Sequence, residues 1–155
     1  MCCDGTLFTH VSLQPAEAET LQGRELPTVR RADGSPALAQ HCAALAGDGR
    51  TCTVYAERPA SCRRYHCQLF AALAENEVSL DEALAVVDEA RARVDAVGEA
   101  LGPAAPDAPR SVMQRARRAE LPEHGGPLPP EAHAARERAE AFLDKHFRGR
   151  FGSRG

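Results

Sequence analysis

The sequence predicts an α+β fold, mainly α: a small cysteine-cluster domain with short strands or a hairpin and packed helices. Three observations carry this reading. All six cysteines fall within the first 67 of 155 residues, so the first half must fold around thiol chemistry. A capped, periodic run from Ser79 to Leu101 reads as a long amphipathic helix. The stretches between the cysteines are short, alternating or punctuated by glycine, which suits short strands and turns.

The elements follow in order. Cys2-Cys3-Asp4-Gly5 is a turn-like opening. Leu7, Thr9, Val11 and Leu13 alternate with Phe8, His10 and Ser12, as in a short strand of β-branched and aromatic residues. Pro15 suits the first turn of a helix, with Glu17 and Glu19 placed to complement its dipole. That helix is expected to run to about Gln22 and stop at Gly23. Residues 24–37, with two prolines and Asp33-Gly34-Ser35, read as a loop. Leu38 to Leu45 and Thr51 to Tyr55 are expected to form a hairpin about the glycines of residues 46–50, with Cys42 and Cys52 on its arms. Pro59 opens a helix through Leu73. Ser79 and Glu82 form a capping box, and the helix behind them carries a stripe of Leu80, Leu84, Val87, Val94 and Leu101 expected to face a core.

Three prolines in residues 102–109 mark a linker. A short basic helix, Val112 to Ala119, a second linker at 121–130 and a last helix from Glu131 to Phe147 follow. Arg148 to Gly155 is expected to be disordered. These breaks suggest a cysteine-cluster metal-binding domain over 1–101 and a helical extension over 102–155.

Composition excludes several function classes. Aromatics are 5% with no tryptophan, and alanine buries little area per residue, so a metal cross-link is a plausible source of stability. A net charge of −3 gives no electrostatic case for nucleic acid or membrane as a partner. No run approaches the length of a membrane span, and MCCDGTLFTHV lacks the basic and apolar regions of a signal peptide. A cytoplasmic location is expected, where a cysteine cluster more often means metal than disulfides.

One or two such cysteines could pack as small hydrophobes. Six confined to the first 67 residues point instead to a soft-metal site, zinc or an iron–sulfur cluster. Four thiolates must then converge, and Cys42, Cys52, Cys62 and Cys67 are expected to do so. On a regular helix, Cys62 and Cys67 would not share a face. His66, four residues from Cys62, would, and is an alternative ligand for zinc. Cys2 and Cys3 can serve one centre only through a turn, because adjacent side chains of an extended chain diverge. Arg58 either supports the thiolates, or caps carbonyls or pairs with Glu57 at the surface.

The pattern CC-x-G-x-LF-x-x-V-x-L, followed by C-x9-C-x-x-Y-x-x-RP-x-x-CR-x-x-x-C, resembles the YkgJ-type cysteine-cluster family, the CxxCxxCC zinc- or iron-chelating domain. The resemblance covers about residues 2–70, with Tyr55, Arg58, Pro59, Cys62, Arg63 and Cys67 matching as a unit. It implies metal or iron–sulfur binding through Cys2, Cys3, Cys42, Cys52, Cys62 and Cys67. The family has further cysteines just upstream of its CC pair, so either the natural start lies earlier or this member works with six. A similar cluster accompanies an iron–sulfur centre in flagellin lysine methylases. A cluster-dependent modifying enzyme is therefore one alternative function. A protein-interaction adaptor, docking a partner through its alanine-rich helices, is another. No nucleotide loop or catalytic triad is present to favour an enzyme, and His10, His41, His124, His133 and His146 lack ligand or triad spacing.

Overall fold

The computed structural model describes residues 1–149. Its fold is α+β and mainly α, with one small antiparallel sheet and six α-helices among the described residues. The chain divides into two compact units, Met1–Tyr65 and a second from His66 onward. The break at 65/66 differs from the boundary at 101/102 that the proline-rich linkers suggest.

In the first unit, β1 (His10–Ser12), β2 (Val29–Arg30) and β3 (Pro36–Ala39) form a sheet in the order β1-β3-β2. His10, Val11 and Ser12 pair with Ala39, Leu38 and Ala37, and Val29 pairs with Ala37. The strand expected over Leu7–Leu13 is thus only three residues long, and the expected loop 24–37 contains β2. Asp33 accepts from the backbone of Ser35 at 2.9 Å and Gly34 takes a positive φ of 80°, which turns β2 tightly into β3. Between the strands, α1 (Pro15–Gly23) buries Ala18 and Leu21. These pack with Leu13, Leu38, Cys42 and Ala44 into the core of the unit.

The expected hairpin survives only as a single bridge, Leu45 to Cys52. The Ala46 N–H donates to the Thr51 carbonyl at 2.9 Å, and Asp48 accepts from the N–H groups of Arg50 and Thr51 at 2.8 Å. The Thr51 hydroxyl, which also donates to this carboxylate, and then the two backbone N–H groups hold the Asp48 carboxyl down at about 2. The alanine-rich first arm has little strand propensity, and it bends away after Ala39. A 3₁₀ turn, Tyr55–Glu57, then leads to α2 (Ala60–Arg64).

The helix expected from Pro59 to Leu73 is two helices. Tyr65 is extended (φ −73°, ψ 122°) and Cys67 caps α3 (Gln68–Ala74), its sulfur accepting from the Phe70 N–H at 3.4 Å. Tyr65 is held edge-on to Phe8 with ring centroids 5.0 Å apart, a non-local contact worth more than one more helical residue.

The second unit is helical: α3, α4 (Leu80–Leu101), α5 (Val112–Ala119) and α6 (Pro130–Leu143), continued by a π turn over Asp144–Arg148. The Ser79–Glu82 capping box forms as expected. The buried face of α4, however, is Ala83, Ala90, Val94 and Val97. Leu80 and Leu84 are 59% and 52% exposed. The reason is close packing: α6 presents Ala132, Ala135 and Ala139, and small residues let two helix backbones approach. Met113, Ala116, Leu143 and Phe147 complete the core. Arg148, placed in the expected disordered tail, pairs with Glu140 at 2.6 Å and Asp144 at 2.8 Å. The rest of that tail, from residue 150, lies outside the described residues.

Candidate metal centre

Four cysteines of the first unit lie within electrostatic reach of one another: Cys3, Cys42, Cys52 and Cys62. Each arrives on a different segment. Cys3 sits in the N-terminal turn, where the Gly5 N–H donates to the Cys2 carbonyl at 3.3 Å and Thr6 N–H to the Asp4 carboxylate at 2.8 Å. Cys42 follows β3 and is only 6% exposed. Its N–H donates to the Cys3 carbonyl at 2.7 Å, tying the first segment to the second. Cys52 ends the Asp48 turn and packs against the unit's core, as Cys3 does. Cys62 lies on α2.

The electrostatics are those of crowded thiols. Burial pushes the Cys62 thiol up to about 11, and the neighbouring Cys3, Cys42 and Cys52 add to it. Burial likewise raises Cys3 and Cys42, with Cys52 contributing to both. Ionising one thiol therefore disfavours ionising the next, and a bound cation would relieve that cost for all four. The donor set is soft sulfur, which fits zinc or iron. Among the described residues, no group of three or more His, Cys, Asp or Glu side chains stands in an arrangement that could hold a metal ion. Tetrahedral zinc needs sulfurs about 3.8 Å apart, an arrangement that these cysteines do not hold here.

Cys67 belongs to the second unit and uses its sulfur as a helix cap. His66 also belongs there, stacked on Phe70 with centroids 4.8 Å apart. Because α2 ends at Arg64, the four-residue step no longer places His66 above Cys62 on one helix face. Cys2 stands beside Cys3 in the opening turn.

Arg58 does both things the sequence allows. Its Nε donates to the Tyr55 carbonyl at 3.0 Å, and its guanidinium lies 3.5 Å above the Tyr55 ring. Its charge also favours the thiolates of Cys3 and Cys62. Glu57 pairs with Arg24, just past the end of α1, rather than with Arg58.

Two supporting residues escaped the sequence reading. Glu17 accepts from the Gln14 N–H at 2.8 Å and, with its other oxygen, from the Ala60 N–H at 2.7 Å. One carboxylate thus ties the start of α1 to the start of α2. These bonds, that to Ala60 first, lower its pKa. Its dipole-complementing position was legible, but its second partner, 43 residues away, was not. Gln40 is 5% exposed. With its amide nitrogen facing the N-terminal turn, it donates to the carbonyls of Cys3 at 3.0 Å and Cys2 at 3.1 Å. A glutamine beside His41-Cys42 carries no sequence signal of that role.

No helix among the described residues is long and apolar enough to cross a membrane. No curated protein and no solved structure matches the chain. One family model does, CxxCxxCC, described as "Putative zinc- or iron-chelating domain", over residues 1–84. That is more than half of the 155 residues, and the chain belongs to the CxxCxxCC family, a metal-binding one.

Proposed function

We propose that the first unit holds zinc or an iron–sulfur cluster through cysteine thiolates, with Cys3, Cys42, Cys52 and Cys62 as its principal ligands. The observation that carries this reading is the mutual electrostatic reach of four thiols brought in by four separate segments. Both centres accept four thiolates. Bound zinc would supply a structural cross-link, and an iron–sulfur cluster would supply one-electron chemistry. The chain's own residues define the rest. Cys42 anchors the set in the core, Glu17 fixes the start of the helix that carries Cys62, and Arg58 offsets thiolate charge from the side. The metal ion or cluster is the partner for which the donor set is suited, and a cytoplasmic setting would keep these thiols reduced.

Anaerobic purification, metal and sulfide analysis and a visible spectrum test the proposal. Bound zinc without colour identifies a structural site, and iron with sulfide and a charge-transfer band identifies a cluster. A protein that takes up neither overturns the reading. The roles of Cys2 and Cys67 are read from the metal stoichiometry of their serine variants.

A further inference from the structure

We propose that Gln40 is a positioning residue for the metal centre: its buried side-chain amide clamps the Cys2–Cys3 turn beside Cys42 and so presents Cys3 to the other thiols. This inference rests on the metal-binding reading above. It begins with a constraint of backbone geometry. Adjacent residues in an extended chain point their side chains to opposite sides, and a strand-like N-terminus would turn one cysteine of the pair away. Here the pair sits in a turn, and with the Gln40 amide assigned in the orientation that satisfies both its oxygen and its nitrogen, one side chain engages both carbonyls. A glutamine amide has two N–H donors, and Gln40 uses them on the adjacent carbonyls of Cys2 and Cys3. The Cys3 carbonyl takes a second bond from the Cys42 N–H at 2.7 Å, which occupies both of its lone pairs.

Gln40 is itself fixed from behind. Its backbone N–H donates to the Thr9 carbonyl at 2.9 Å, just beyond the β1–β3 register. The sheet thereby holds Gln40, Gln40 holds the turn, and Cys42 follows two residues later. A buried amide is costly unless its donors are satisfied, and few side chains could replace it. An alkyl chain removes one of the two bonds that each carbonyl accepts, and a carboxylate sets oxygen against oxygen.

The test is a cobalt(II) titration of the metal-free full chain, comparing the unaltered protein with Gln40→Met and Gln40→Asn. Methionine keeps the length and removes both donors, and asparagine keeps the amide but is one methylene short. Affinity is measured by competition with a chromophoric chelator, and the sulfur-to-cobalt charge-transfer band is read per bound cobalt. Loss of a supporting partner lowers metal affinity by about 10–100-fold, and the same loss is expected for both variants. Band intensity per bound cobalt should fall by roughly a quarter for each thiolate lost from a four-thiolate site. General destabilisation would reduce the amount of cobalt bound but not the intensity per ion. Should Gln40→Met not fold, the asparagine variant alone decides. Unchanged affinity and band intensity in a folded variant overturn the role of Gln40 and leave the metal reading intact. An unaltered chain that binds cobalt without a thiolate band overturns both.

Discussion

The two units of this chain are built on opposite principles. The second is assembled from elements that each make local sense: a capping box at Ser79, a serine cap at Ser111 and prolines at the start of α6. Its core is apolar and mainly aliphatic, with Val97, Met113 and Leu143 fully buried. The first unit has strands of two to four residues and α-helices of nine and five. A cysteine stands in its core, and its segments are joined by Glu17, Gln40 and the Cys42 N–H across long sequence separations. The first unit brings four crowded thiols together from separate segments, and on the metal-binding reading proposed above a bound cation would stabilise them.

The comparison breaks most severely by truncation. Ending the chain after Leu101 removes α5 and α6 and bares Ala90, Val94 and Val97. Amide hydrogen exchange should show α4 losing its protection, while metal content, if the first unit holds the centre as proposed, is unchanged. An α4 that stays protected would mean that the C-terminal helices are the extension that the linkers suggested. Substituting a core residue of each unit sharpens the contrast. Met113→Ala should cost about 2–5 kcal/mol and leave metal stoichiometry alone. Cys42→Ser, which buries a hydroxyl in the other core, should cost about 1–3 kcal/mol without metal and also lower the metal bound. Urea unfolding with metal analysis reads both.

A smaller effect lies in the charge network of the second unit. Burial alone would raise Glu140, but hydrogen bonds from Arg148 and Arg117 outweigh it and hold the carboxyl below its usual range. A carboxylate lowered in the folded state stabilises above its ordinary pKa, and that contribution disappears as pH falls through the lowered value. Glu140→Gln should therefore cost about 1–2 kcal/mol at pH 7, and the difference from the unaltered protein should shrink towards pH 3. Denaturant midpoints at the two pH values decide. Smallest of all, Leu80→Gln and Leu84→Gln should each change stability by less than about 0.5 kcal/mol, because both side chains are exposed. A cost above 2 kcal/mol in thermal melts would put them back in a core.

Residues 79–101 show both what could be read and what could not. The serine–glutamate box fixed the start of the helix, because capping is settled within four residues. The buried face was read only in part: Val94 is buried as expected, but Leu80 and Leu84 are exposed, because hydropathy favours leucine whereas close helix approach selects alanine. Only the partner helix α6 decides which applies. The helix from Pro59 failed for a related reason: nothing local stops it at Arg64, and Tyr65 leaves helical geometry where it meets Phe8.

By itself the sequence determined the fold class, the long helix and its cap, and the concentration of all six thiols before residue 68. It also carried the family pattern. These are properties of composition and of neighbours within about two helical turns. The tertiary structure alone decided that Cys3, rather than Cys67, shares a unit with Cys42, Cys52 and Cys62. It alone revealed the bonds of Gln40 and Glu17 and the burial of the α4 alanines. Each of these depends on which distant segments meet. No residue pattern encodes that, because the same thiol, amide or methyl group serves equally well wherever the chain brings it.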